Sequence, residues 1–283
     1  MPETPAGILF LVATPIGNLE DISLRAVRVL GEVDLIAAED TRHTAKLLHH
    51  YDIRRPTESL HEHNEHEKTP VLIDRLRGGA RIALVTDAGT PAVSDPGYRL
   101  VRAAIDAGIR VEAIPGPSAV LAALVSSGLP TDGFVFAGFP PPKAAARRAW
   151  FEALEAGRRT LVFFEAPHRI RATLETAIDT LGDREASLCR ELTKLHEEVI
   201  RGPLSAVLGQ LREPRGEFTV VVAGLPDVSP DPVVQVSDNQ LLTEFGHLTE
   251  KGKGRREAIS ELARRYNLRS RDVFAAIDRA RRP

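Results

Sequence analysis

The chain reads as an α/β protein: two consecutive α/β units followed by a small helical tail. Three features of its 283 residues predict this. Short apolar runs rich in branched residues alternate with amphipathic stretches, as βαβ crossovers and a mostly parallel sheet require. Several of those runs end in loops crowded with Gly, Pro and small polar residues, the position at which ligands sit in open α/β sheets. Past Gly128 the texture changes, and a Pro-rich stretch over 224–236 separates everything before it from a basic end. The expected domains are a first unit over 1–116, a second over 117–225, a linker over 226–236 and a helical domain over 237–283.

In chain order, Gly7–Thr14 is the first strand and delivers Pro15-Ile16-Gly17-Asn18. Asp34–Ala38 is another, ending in Glu39-Asp40-Thr41-Arg42 and leading into an amphipathic pattern through Leu47, Leu48 and Tyr51. A Gly-Gly turn precedes Ile82–Thr86, a run that reads as a buried parallel strand. Its loop, DAGTPAVSDPG over 87–97, puts Asp87, Gly89, Thr90, Ser94 and Asp95 where chemistry is usual. Ser94 and Asp95 also suit the cap of a following helix. Arg110–Ile114 delivers Pro115-Gly116-Pro117-Ser118-Ala119. In the second unit Phe134–Gly138, Thr160–Phe164, Ala186–Cys189 and Phe218–Val222 are strands separated by helical stretches.

Composition narrows the class. With 43% hydrophobic residues, each unit can build a core without staples. The single cysteine, Cys189, forms no internal disulfide and sits in a strand-like run, as a buried structural thiol does. No charged leader with an apolar stretch opens the chain and no run reaches membrane-spanning length, so a cytoplasmic protein with no membrane partner is expected. No G-x-G-x-x-G follows a strand and no G-x-x-x-x-G-K-[ST] occurs, which removes the usual support for nicotinamide and P-loop readings.

The net charge of −2 conceals an asymmetry. Residues 246–283 carry 11 Lys and Arg against 5 Asp and Glu, while 227–245 carry 4 acids and no base. The tail divides into helices over Ser237–Phe245, Arg255–Tyr266 and Ser270–Ala280. Ile259, Leu262 and Tyr266 face inward in the second; Ser270 caps the third, with Phe274 and Ile277 on its apolar side. Three short helices with basic faces form a helix-turn-helix-like module suited to nucleic-acid phosphates; a dimerising or solvated tail is the plainer alternative. Lys251, Lys253, Arg255 and Arg256 are the phosphate candidates, since Gly252 and Gly254 allow close backbone approach.

Taken together, ATPIGN (13–18), AEDTRHT (38–44), SLHEHNE (59–65), TDAGTPAVSDPG (86–97), IPGPSA (114–119), FFEAPHR (163–169), RELTKLHEE (190–198) and GEFTVVV (216–222) resemble the ribosomal small-subunit RNA (cytidine-2′-O)-methyltransferases of the tetrapyrrole-methylase superfamily. The resemblance runs from about residue 7 to 224 and continues into the tail. It implies two α/β/α subdomains with S-adenosyl-L-methionine in the cleft between them, and usually a homodimer. The implied substrate is a cytidine ribose in the decoding region of 16S rRNA, within the small ribosomal subunit. It also implies the cofactor residues: Asp87, Ala88, Gly89, Thr90 and Val93; Ser118 and Ala119; Phe164, Leu192, Thr193 and Thr219 on the adenosine side; and Pro15 facing the same cleft. The alternatives are a superfamily member acting on a precorrin-like small molecule or a protein, and a non-catalytic RNA-binding protein.

Methylation of a ribose hydroxyl is an in-line transfer in which positioning dominates and a base within reach helps remove the proton. Lys194 and Glu197, with Asp40, Arg42 and His168, form the expected substrate-facing constellation, and the base among them stays open. Asp40 also suits a helix cap. His168 suits a helix-orienting role, and Arg169 suits either Glu165 or an RNA phosphate. Lys194 either accepts a proton when buried or orients a phosphate when charged. His61, His63 and His66 lack a matching Cys or carboxylate pattern, so solvated or RNA-facing histidines are expected and no metal.

Overall fold

The computed structural model describes residues 7–225, 237–250, 253–266 and 270–280. The chain forms two compact units, residues 1–225 and 226–283. The expected linker over 226–236 and Lys251 lie outside the described residues, as do the side chains of Arg256 and Ser270.

The first unit opens with a lobe of five parallel strands. β1 (Ile8–Val12), β2 (Leu35–Ala38), β3 (Thr57–Ser59), β4 (Arg81–Val85) and β5 (Arg110–Ile114) lie in the order β3-β2-β4-β1-β5. Helices α1 (Leu24–Glu32), α2 (Thr41–His50), α3 (Glu65–Arg77) and α4 (Tyr98–Asp106) are the crossovers. The alternation of side chains along each strand feeds two cores. Phe10, Val12, Ile36, Ala83 and Val85 meet Val29, Leu30, Leu47 and Leu48 of α1 and α2. Leu9, Leu35, Ile82 and Leu84 meet Leu72, Leu76 and Leu100 of α3 and α4. The crossovers run one way from β1 and the other way from β4, so these neighbouring strands flank the switch point at which α/β sheets bind ligands. A buried carboxylate starts α4: Glu65 Oε1 accepts from the backbone N–H groups of Gly97, Arg99 and Leu100 at 3.0–3.3 Å, where a helix N-terminus favours negative charge.

The second lobe carries α5 (Ala119–Ser127), β6 (Phe134–Phe136), α6 (Ala144–Glu152), β7 (Thr160–Glu165), α7 (Ile170–Leu181), β8 (Glu185–Arg190), β9 (Glu198–Pro203), α8 (Leu204–Gln210) and β10 (Phe218–Val222). Its sheet, ordered β6-β7-β10-β8-β9, is parallel only between β6 and β7. One face buries Phe151, Phe163, Leu174 and Phe218 under α6, α7 and α8; the other buries Val162, Cys189 and Val221 under Val120, Ala123 and Leu124 of α5. Cys189 is fully buried beside Ser187 and Ser126, and burial pushes its thiol up.

In the second unit α9 (Asp238–Glu250), α10 (Arg255–Arg265) and α11 (Ser270–Ala280) pack around Leu241, Phe245, Leu262, Val273 and Ile277. Phe274, expected on the apolar side of α11, is instead 47% exposed, because Val273, Ala276 and Ile277 take the buried stripe. The Arg255 guanidinium lies over its ring, 5.5 Å from the centroid.

Candidate active site

Because the five strands of the first sheet run the same way, their carboxyl-end loops share one edge. A cavity of about 560 Å³ opens there, within the usual range for small-molecule sites, with its other wall from the second lobe. The loops after β1 and β4 are stitched together. Thr14 and Gly89 exchange both backbone hydrogen bonds (2.9 and 3.0 Å), and Thr14 Oγ1 donates to the Thr86 carbonyl at 3.0 Å. Gly89 holds φ +88°, which only glycine adopts without strain, and so presents bare backbone to the cavity. Ala92, Ser94, Glu191 and Thr193 also carry positive φ, a cluster of costly backbone in the loops at this cleft.

The first lobe's wall is acidic. Pairing of β2 with β4 sets Ala38 beside Val85, so Glu39 and Thr86 follow side by side, and Thr86 Oγ1 donates to Glu39 Oε2 at 2.7 Å. Asp87 Oδ1 accepts from the Asp40 backbone N–H at 3.0 Å. Burial raises the Asp87 carboxyl, with Glu39 and Asp40 adding repulsion. Burial also pushes Asp95 up to about 6, with the nearby Thr86 hydroxyl opposing the rise and Glu39, Asp87 and Glu217 adding to it. The second lobe's wall holds Phe139, Phe164, Pro167, His168, Leu192 and Thr219.

Among the expected cofactor residues, Asp87, Ala88, Gly89, Thr90, Val93, Ser118, Ala119, Phe164, Leu192 and Thr219 line the cavity. Pro15 and Thr193 are not among its lining residues, and Ile16 reaches it from the Pro15 loop. The two loops touch: a Cβ on Gly17 would stand 2.8 Å from Thr193 Oγ1 and 2.5 Å from Lys194 Cγ. Lys194 and His168 line the cavity, with Lys194 Nζ donating to Glu191 Oε1 at 2.9 Å. Asp40 and Glu197 are engaged elsewhere. Asp40 caps α2 and is held at about 2 by its hydrogen bonds from Arg42; Glu197 Oε2 accepts from the Thr193 N–H at 2.6 Å and braces the turn. Arg169 spends its guanidinium on Glu165, a buried carboxylate that also accepts from Thr173. In the helical unit Lys253 pairs with Glu261.

Phe139 and Glu217 also line the cavity without having been expected there as site residues, and Glu39 was expected only as the end of a strand. Adjacency across β2 and β4 joins Glu39 to Thr86, which no local spacing reveals. Asp95 carried a signal in its strand-end position. Phe139, in FAGFPPP, carried none.

The cavity fits S-adenosylmethionine. Its bare Gly89 edge and carboxylates suit the amino acid end and its ammonium, the N-terminus of α5 at Ser118–Val120 suits a carboxylate, and Phe164, Leu192 and Val120 offer an apolar bed to the adenine. Among the described residues no group of three His, Cys, Asp or Glu could hold a metal ion, and no helix is long and apolar enough to cross a membrane.

Fold and cleft together define a two-lobed methyltransferase that draws on S-adenosylmethionine, and the family of Tetrapyrrole (Corrin/Porphyrin) Methylases matches residues 9–208. The chain is 47% identical over 271 residues to the ribosomal RNA small subunit methyltransferase I of Synechocystis sp., covering 95% of this chain and 96% of that one. It is 46% identical over 271 residues to the protein of the same name from Halalkalibacterium halodurans, covering 95% and 93%. The uroporphyrin-III C-methyltransferase of Thermus thermophilus shares the fold, with a TM-score of 0.55 at 22% identity over 76% of this chain and 94% of that one. The chain belongs to the ribosomal RNA small subunit methyltransferase I family of the tetrapyrrole methylases.

Proposed function

We propose that this protein transfers a methyl group from S-adenosylmethionine to the 2′-oxygen of a cytidine in the decoding region of 16S rRNA. The observation that carries the reading is the likeness to ribosomal RNA small subunit methyltransferases I over almost the whole chain. When bound, the cofactor supplies an electrophilic methyl on a sulfonium. The residues of the chain then do four things. Asp87 and the backbone of Ala88 hold the donor, Gly89 leaves it room by having no side chain, and Phe164, Leu192 and Val120 exclude water around it. Lys194 and His168 orient the acceptor. Asp95, with a carboxyl near 6, is ionised at neutral pH yet basic enough to take the hydroxyl proton, the match that proton transfer near neutrality favours. Asp40 and Glu197 act by shaping the loops.

The partner in this reading is the small ribosomal subunit, and the place of action the cytoplasm. The lobes over 1–116 and 117–225 perform the chemistry. The helical domain, through Lys251, Lys253, Arg255 and Arg256, grips RNA phosphate, and Arg42 of the first unit adds a phosphate contact of its own. A homodimer is part of the same reading. Leu121 and Val125, one turn apart on α5, are 51% and 73% exposed and suit a second copy.

Incubation with methyl-labelled S-adenosylmethionine and small subunits that lack the modification tests the activity. Label in 2′-O-methylcytidine is expected. Absence of label from every RNA substrate, naked or assembled, overturns the reading.

A further inference from the structure

Phe139 is an anomaly of packing. It is 51% exposed, and it belongs to none of the hydrophobic clusters formed by the described residues. It nevertheless lines the catalytic cavity. Its ring ends an aromatic row: Phe136 meets Phe164 with centroids 5.0 Å apart, and Phe164 meets Phe139 at 5.4 Å with planes at 55°. Phe136 packs against the core beneath α5, and Phe164 is half-buried, so the row leads from the interior to the lip of the cavity.

The backbone that presents this ring is rigid. Gly138 takes φ +69°, and its carbonyl accepts from the Phe164 N–H at 2.9 Å, continuing the pairing beside β7. Three prolines, Pro140 to Pro142, follow at once. A ring fixed in this way loses little freedom when a ligand covers it. Opposite, the loop of the first lobe comes close: a Cβ on Gly138 would stand 3.6 Å from Ser94 Oγ, and Asp95 is the next residue. Phe139, Ser94 and Asp95 thus line the same cavity, with the Phe139 loop packed against Ser94.

We propose that Phe139 is the stacking platform for the base of the acceptor nucleotide, a pyrimidine swung out of its RNA stack so that its ribose reaches the methyl donor. The proposal rests on the functional reading above and places the acceptor within that site. In this reading the donor lies against Gly89, Ala119, Leu192 and Thr219, and the acceptor base lies against Phe139. Unstacked bases are characteristically received on exposed aromatic rings. The flat face, and not a hydrogen bond, supplies the affinity, so the ring shape is what matters.

Three full-length variants, Phe139→Trp, Phe139→Leu and Phe139→Ala, test it in methylation of unmodified small subunits, with cofactor affinity measured separately by titration calorimetry. Phe139→Trp keeps the wild-type KM for subunits. Phe139→Leu and Phe139→Ala raise it about tenfold, as loss of one stacking contact does. All three bind S-adenosylmethionine as wild type does. A leucine variant with wild-type KM overturns the proposal, because a merely apolar contact then suffices. Cofactor affinity that falls in step with loss of the ring also overturns it, assigning the platform to the adenine. Wild-type protein that methylates no RNA removes the functional reading itself, an outcome distinct from either.

Discussion

The first lobe gives the cavity three carboxylates, Glu39, Asp87 and Asp95, on loops fixed by backbone pairing. The second lobe gives it Phe139, Phe164 and Leu192, with Glu191, Glu217, His168 and Lys194 around them. The two walls differ because the sheets differ. A fully parallel sheet places every strand's carboxyl end on one edge, so its loops supply backbone and short polar side chains at close quarters. The mixed sheet of the second lobe presents the ends of β7, β8 and β10 to the same space, and large side chains from those ends furnish an apolar bed. The first wall thus sets carboxylates among close-packed backbone, while the second joins an aromatic and apolar surface to polar side chains of its own, Glu165, Glu191, Glu217, His168 and Lys194.

The largest effect that would break this division is expected at Gly89. Gly89→Val forces a β-branched residue to φ +88° and brings a side chain toward Ile16, and cofactor affinity should fall roughly a hundredfold. Unchanged calorimetric binding would remove the loop from the site. Asp87→Ala should weaken cofactor binding about tenfold while leaving RNA affinity as it was, since the role proposed for Asp87 is to hold the donor. A loss of RNA affinity instead would reverse that assignment.

Asp95→Asn sharpens the comparison through stability. The folded carboxyl sits at about 6 against an ordinary 3.8, so the folded chain retains a proton that the unfolded chain releases. The associated stability is complete below about pH 4 and is lost as pH rises through about 6. The uncharged variant should therefore be more stable than wild type at pH 7, by on the order of 2 kcal/mol, with the gap closing toward pH 4. Urea melts across that range report it, and a gap independent of pH would contradict the burial of Asp95. The smallest effect is at the helical unit. Truncation before Ser237 should weaken RNA binding and flatten its salt dependence while sparing cofactor affinity, because the phosphate contacts placed there would be lost. An unaltered salt slope would assign those contacts elsewhere.

The same contrast decides what was legible beforehand. Strands β1, β2, β4 and β5 stand out as apolar runs because helices cover the sheet on both faces, and their glycine-rich loops mark the donor half of the cleft. β3 is three polar residues at a sheet edge, with no pattern to read. β9 is also an edge strand, shares only Glu198 with the RELTKLHEE motif, and had no reading of its own beforehand, unlike β7, β8 and β10 beside it in the same sheet. Asp87 and Asp95 are visible at a strand end. Their coupling to Glu39 depends on the β2–β4 register, and the exposure of Phe139 depends on how its loop leaves the sheet. Charge patterning in the tail showed cations but not their partners. Lys253 with Glu261, and Arg279 with Asp238, are pairs of the folded state.

The claim on which the account turns is that a carboxylate of the acidic wall receives the ribose proton, with Glu39, Asp87, Glu217 and the Thr86 hydroxyl as its surroundings. The pH dependence of single-turnover methyl transfer to unmodified small subunits tests it directly, comparing wild type with Asp95→Asn at saturating cofactor. Wild type should rise through about pH 6 to a plateau, and the variant should run about a hundredfold slower with that limb absent. A variant with the wild-type rate, or one that keeps the limb near pH 6, would contradict the account.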